Sequence, residues 1–172
     1  MALSFTNRID LSKNILDIRP WIEFAENNKV AYKEAKPFPH IVIDNFFPDE
    51  ILDGILNEFP SIDTMIQKNK TPTTHAKGSS SIEQLWGTQT INTIRILNSQ
   101  NFLAGVQILT DIPGLITDPN YYGGGLHQIG RDGFLSIHAD FNFASGLHRR
   151  LNLLLYLNHN WKSSYNGFLE LW

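Results

Sequence analysis

Apolar and polar positions divide the chain into a helical half followed by a strand-like half. Helical spacing is clearest over residues 48–59, where Ile51, Leu52, Ile55, Leu56 and Phe59 form one stripe. Pro48 opens this helix and Pro60 stops it, while Asp49, Glu50 and Asp53 lie where the positive end of the helix dipole favours acids. A second helix is predicted from Pro20 to about Ala35, broken by KPFPH at Lys36–His40. A third is predicted to start after Ser99 as N-cap and to carry Phe102, Leu103, Val106 and Leu109. Residues 88–97 read both ways: Ile91, Ile94 and Leu97 suit a helix, whereas Thr88, Thr90 and Ile96 suit a strand. Residues 1–19 read as a loose polar arm and Ile41–Phe47 as a short strand. The stretch 61–82, with Lys68, Lys70, Lys77 and Gly78, reads as a surface loop, either a plain connector, which is favoured, or a lid.

Asp118-Pro119-Asn120 and Gly123-Gly124-Gly125 mark turns. Beyond Gly125 the pattern becomes strand-like, over 126–129, 134–141, 150–158 and 168–172, with Asn142, Ser145 and Gly146 turning the chain after the second of these. Helices first and strands afterwards predict an α+β fold, with helices covering one side of a mostly antiparallel sheet. Within 150–158 the alternation sorts two faces. Leu151, Leu153, Leu155 and Leu157 form one, which calls for a helix layer, while Asn152, Leu154, Tyr156 and Asn158 form the other, which suits a polar cavity.

Composition narrows the chemistry. Of 172 residues, 42% are hydrophobic and 18% charged, enough apolar material for one sizeable core and against disorder. The net charge of −3 gives none of the basic balance usual in a nucleic-acid binder. No cysteine is present, which removes disulfides, thiolate nucleophiles and Cys-ligated metals. The most apolar stretch, Leu151–Leu157, is interrupted by Asn152 and is far shorter than the roughly 20 residues of a membrane span. The start, MALSFTNRIDLSKN, lacks the apolar core of a secretory signal, so a cytoplasmic protein is expected.

Any metal would be held by nitrogen and oxygen. In His138-Ala139-Asp140, two residues apart on a strand, an imidazole and a carboxylate project to one face and can share an ion. The triplet alone is weak: with six His and ten Asp it arises by chance about once in three such chains. A surface His beside a turn Asp explains the bare triplet, and an ordinary β-former explains Tyr156.

Several separate segments, in order, resemble one family. GGGLHQIGRDGFLSIHADFNF, RRLNLLLYLNHNW and NGFLELW, with PFPHIVIDNFFPDEI and LNSQNFLAGVQILTDIPGLITDPN upstream, resemble the prolyl-4-hydroxylase-like group of iron(II)- and 2-oxoglutarate-dependent oxygenases, over residues 36–172. The resemblance implies a double-stranded β-helix, a jelly-roll or cupin-like fold with N-terminal helices packed on its larger sheet. It implies an N-terminal arm and helix over 1–35 and the first part of an oxygenase domain over 36–172. It implies Fe(II) and 2-oxoglutarate as cofactor and cosubstrate, with His138 and Asp140 as two ligands of a 2-His-1-carboxylate triad. Tyr156 matches the position that holds the distal carboxylate of 2-oxoglutarate. Gln128 matches a polar position at its other end, and Asn152 is a further candidate in the same pocket. No catalytic residue beyond the metal ligands is implied.

One departure stands out. The family's distal His and the basic residue that pairs with 2-oxoglutarate belong to strands after FLELW, and beyond Arg150 the only Lys or Arg here is Lys162. Asn166-Gly167 stands where the family has Gly-Gly. His148 is a poorer third ligand, because a facial triad takes its last ligand from a different strand. The jelly roll is therefore expected to be incomplete at the C-terminus, and residues 1–172 alone are expected to turn over little 2-oxoglutarate. The apolar edge Phe168–Trp172 is expected to be covered, by further strands or by self-association. The activity implied is hydroxylation of a small-molecule or peptide substrate; prolyl residues, free amino acids and sugars are all open. The alternatives are a non-catalytic binding module on the same scaffold and an assembly protein pairing through Trp172.

Overall fold

The computed structural model describes residues 3–5, 9–10, 15–68, 73–118, 120–140, 143–144 and 146–172. Their elements, in chain order, are β1 (Leu3–Ser4), β2 (Ile9–Asp10), β3 (Ile15–Leu16), α1 (Ile18–Glu34), β4 (Ile43–Asp44), α2 (Asp49–Glu58), β5 (Ile66–Lys68), β6 (Thr74–Ser80), α3 (Thr88–Leu97), α4 (Gln100–Thr110), β7 (Leu126–Leu135), β8 (Phe143–Ala144) and β9 (Leu147–His148). The chain is a mixture of α-helices and short, mostly antiparallel strands. It divides into two compact units.

The first unit comprises residues 1–58, 87–117 and 170–172. Its helices carry the buried residues that the apolar stripes indicate. Asp17 caps α1, its side chain accepting from the Arg19 amide at 3.1 Å. The buried face of α1 is Trp21 and Ala25, and it packs on α4. Trp21 is 1% exposed; its ring stacks on Phe102 at 5.4 Å, and its indole N–H donates to the Phe102 carbonyl at 2.8 Å. Gly105, one turn along α4, lies flat against that indole, where a Cβ would collide with the ring nitrogen. Phe5, Phe24 and Phe46 surround the same ring edge-on or stacked. Strand β1 runs parallel to β4, and β2 pairs antiparallel with β3.

Residues 88–97, legible either way in the sequence, are helical. Thr90, Thr93 and Ile96 are its buried face, a three-residue period rather than two. Gly87, the N-cap, has no side chain to close the first turn. Glu58, at the end of α2, does this instead: Oε1 accepts from the Gln89 amide, and Oε2 accepts from the Thr90 amide, both at 3.0 Å, and from the Thr90 hydroxyl at 3.1 Å. Ser99 caps α4 by accepting from the Phe102 amide at 3.2 Å. The predicted N-terminal helix thus packs with an element on the far side of residue 35.

The second unit comprises residues 59–86 and 118–169. The stretch 61–82, expected to be loop, instead supplies two strands of a three-stranded antiparallel sheet in the order β5-β6-β7. Its small polar residues hid this. Gly78 is buried beneath Ile62 and Met65, where a Cβ would lie 3.0 Å from either side chain, so the closeness of packing replaces apolar bulk. Lys70 lies outside the described residues. Leu126 pairs with Ser80, Gln128 with Gly78 and Phe134 with His75; β7 carries a bulge between the last two pairs. Trp86 anchors one end, donating to the Ser80 hydroxyl at 3.0 Å and meeting the Tyr121 ring at 5.1 Å. Gly125 has φ +98°, and a Cβ there would strike the Ser80 carbonyl, so the turn into β7 admits only glycine.

The C-terminal strands differ from expectation. Residues 149–162 and 166–172 have no ladder partner among the described residues. The all-Leu face is not covered there: Leu153 is 57% and Leu155 39% exposed. Alternation marks a segment suited to a sheet, but a strand exists only beside a hydrogen-bonded neighbour. The described strands make four separate sheets of two, two, three and two strands, whereas a jelly roll needs about eight strands in two sheets. Phe141, Asn142 and Ser145, expected at the end of the 134–141 strand and in the turn after it, lie outside the described residues.

Candidate functional site

The His138–Asp140 pair lies just past the end of β7. The Ser136 amide still follows the sheet, donating to the Thr73 carbonyl at 2.9 Å. The Ser136 carbonyl then meets His138 Nδ1 at 2.7 Å. A carbonyl can only accept, so Nδ1 carries the proton. The other ring nitrogen, Nε2, faces Asp140 Oδ1 at 3.5 Å. The second carboxylate oxygen, Oδ2, accepts from the Asn152 side-chain amide at 2.6 Å. Both partners of the pair are roughly half-exposed.

This wiring has a chemical consequence. With Nδ1 protonated, a neutral His138 directs the Nε2 lone pair at a carboxylate lone pair, and the two repel. An imidazole nitrogen and a carboxylate oxygen so placed are a donor pair that one cation can share. Two donors bound at about 2.1 Å to one ion lie roughly 3.0–3.4 Å apart for octahedral to tetrahedral angles. The observed 3.5 Å is close to that spacing. The Ser136 carbonyl behind the imidazole and Asn152 behind the carboxylate hold the two groups in the way that outer hydrogen-bond partners hold metal ligands elsewhere. Among the described residues, no group of three His, Asp or Glu converges to hold an ion.

The remaining candidates are distributed unevenly. Asn152 joins the pair directly, through Asp140. Tyr156 is 59% exposed, and what burial it has raises its phenol above the ordinary value. Gln128 stands apart: its partner Gly78 is five residues along β6 from Thr73, about 17 Å at the usual strand rise. His148 lies on β9 with its ring against Phe143 at 4.9 Å. Comparison with protein-family models, with curated proteins and with solved structures finds no match. Among the described residues, no helix is long and apolar enough to cross a membrane.

The sequence pointed to His138 and Asp140 but not to what holds them. The sequence marks Asn152 as a polar member of an alternating segment and a candidate for the same pocket, but not as the partner of Asp140, because their twelve-residue separation has no local signature.

Proposed function

We propose that residues 36–172 are the first part of an iron(II)- and 2-oxoglutarate-dependent dioxygenase that hydroxylates a small-molecule or peptide substrate. The observation that carries this reading is the His138–Asp140 pair, with Nε2 and Oδ1 3.5 Å apart and each group oriented from behind. The resemblance of five segments to the prolyl-4-hydroxylase-like group supports it. The donor set, one imidazole nitrogen and one carboxylate oxygen, fits two of the three protein positions of a facial triad. His138 and Asp140 would hold the iron, which when bound with 2-oxoglutarate supplies oxidative chemistry toward an unactivated C–H bond. The chain's own residues orient the ligands: the Ser136 carbonyl keeps Nε2 free, and Asn152 keeps Oδ1 turned toward it. Tyr156 is the candidate partner for a cosubstrate carboxylate. Gln128, placed along the sheet from the pair, would reach the same cosubstrate only after rearrangement.

In this reading the third ligand and the basic partner come from outside these 172 residues, as do the strands that complete a double-stranded β-helix over the exposed 150–172 segment. A non-catalytic binding module is the second reading, favoured by the absence of a third ligand among the described residues. Two measurements separate them. Manganese(II) binding, followed by electron paramagnetic resonance, is expected to be saturable and to be lost in His138→Ala and Asp140→Ala. Succinate release from 2-oxoglutarate by the full gene product is then screened against prolyl peptides, free amino acids and sugars. Metal affinity unchanged by both substitutions rejects the metal centre. Metal binding with no succinate from any substrate favours the binding module.

A further inference from the structure

Arg149 is half-buried, and its guanidinium lies against Gly123. A Cβ built on Gly123 would be 3.3 Å from Nη1, 3.5 Å from Nη2 and 3.6 Å from Cζ, so the planar group rests against the bare α-carbon. Gly123 has φ +74°, a conformation that favours glycine, and the missing side chain is what admits the guanidinium. Unlike most half-buried arginines, Arg149 has no carboxylate or hydrogen-bond partner among the described residues. Asp118, at the head of the same turn region, accepts from the Asn120 and Tyr122 amides at 2.8 and 2.6 Å, and Asp140 accepts from Asn152. The Gly124 amide is used within the turn, donating to the Tyr121 carbonyl at 2.8 Å. The Gly123 amide has no such partner among the described residues and sits within about 6 Å of Nη1, since a backbone nitrogen is roughly 2.5 Å from its own Cβ.

We propose that Arg149 and the Gly123 amide form a binding site for a small oxyanion, a carboxylate or a phosphate group of a ligand. The two donors are of the kinds that recognise such groups. A guanidinium offers a planar fork that matches two oxygens, and a backbone N–H in a left-handed turn contributes a fixed dipole. Donors up to about 6 Å apart are bridged by one oxyanion, whose oxygens each reach about 2.9 Å to a donor. The site does not depend on the metal reading. Arg149 lies three residues from Asn152, at most about 11 Å in Cα separation.

The test is titration of the metal-free 172-residue protein with succinate and, separately, with inorganic phosphate, following the Gly123 amide by ¹H–¹⁵N NMR against an equal ionic strength of potassium chloride. A saturable Gly123 shift is expected with at least one probe and none with chloride; which probe saturates decides between carboxylate and phosphate. Arg149→Gln is expected to weaken binding at least about tenfold, the equivalent of one charge-assisted hydrogen bond. Arg150→Gln, at the exposed neighbour, is expected to leave it unchanged. Arg149→Lys, which keeps the charge and loses the fork, is expected to fall between. The proposal is overturned if neither probe saturates, if chloride acts equally, or if Arg149→Gln and Arg150→Gln weaken binding to the same extent.

Discussion

Removing the Glu58 carboxylate tests whether one side chain holds α3 at its first turn. The helix begins after Gly87, which has no capping group, and Glu58 fills that role from α2. In Glu58→Ala, two amides lose their acceptor, and an N-cap deletion costs about 0.5–2 kcal/mol. The Thr90 hydroxyl, on a residue 2% exposed, loses its acceptor too, which adds about 1–3 kcal/mol. These terms share one carboxylate and overlap, so a total of about 2–4 kcal/mol is expected. Glu58→Gln keeps one acceptor oxygen and loses the charge at the positive helix end, and about 1–2 kcal/mol is expected. Urea midpoints supply the stability, and amide hydrogen exchange at Gln89 and Thr90 supplies the location. The pH dependence has a definite sign. Partial burial pushes the Glu58 carboxyl up, but the hydrogen bonds from Gln89, Thr90 and Thr88 outweigh it and hold the group below its ordinary 4.5. A carboxyl lowered in the folded state stabilises above its unfolded pKa, and that contribution fades as pH falls through the folded value. Wild type should therefore lose stability below about pH 4.5 more steeply than Glu58→Gln. A cost under about 0.5 kcal/mol for Glu58→Ala, or unchanged exchange at Gln89 and Thr90, would refute the capping account.

Four further outcomes are expected. Gly105→Ala drives a methyl into the Trp21 indole and should cost about 1–3 kcal/mol or more in urea unfolding. Thr93→Val should stabilise by about 1 kcal/mol, because the Thr93 hydroxyl is buried with no hydrogen-bond partner among the described residues; a loss of that size would show that the hydroxyl is satisfied. Asn152→Ala should weaken manganese(II) binding about 10–100-fold by freeing the Asp140 carboxylate, and an unchanged affinity would mean that Asn152 orients nothing. Leu153→Ala and Leu155→Ala in these 172 residues should each cost about 0.5 kcal/mol or less, as surface substitutions do; the 2–5 kcal/mol of a core leucine would show that this face is covered.

Legibility in the sequence followed how local each cause is. Helix α2 and the Ser99 cap of α4 were readable because stripe, cap and proline lie within a dozen residues. Helix α3 was ambiguous because its cap comes from Glu58, about thirty residues away, and two of its three buried residues are threonine. Strands β5 and β6 were missed because Gly78 and the serines carry no apolar alternation; their sheet depends on close backbone approach beneath Met65. Leu151–Leu157 shows the reverse case, a strong alternation without a ladder partner among the described residues. At the site, the two-residue spacing of His138 and Asp140 was visible, whereas the Asn152 contact and the Arg149–Gly123 contact depend on a turn conformation that residue types alone do not specify.

The Glu58 contact also makes residues 59–86 a closed excursion. Glu58 and Gly87, the two residues that flank it, touch: a Cβ on Gly87 would collide with the Glu58 carboxylate. Bringing the ends of 28 free residues together costs on the order of 3 kcal/mol, comparable to what the carboxylate contributes at that junction. The chain thus leaves the helical unit and re-enters it through the same doorway, so a two- or three-residue tether could replace the excursion without moving α2 or α3. Seen this way, the junction is a graft point, where sequence can be exchanged while the aromatic cluster around Trp21 stays intact.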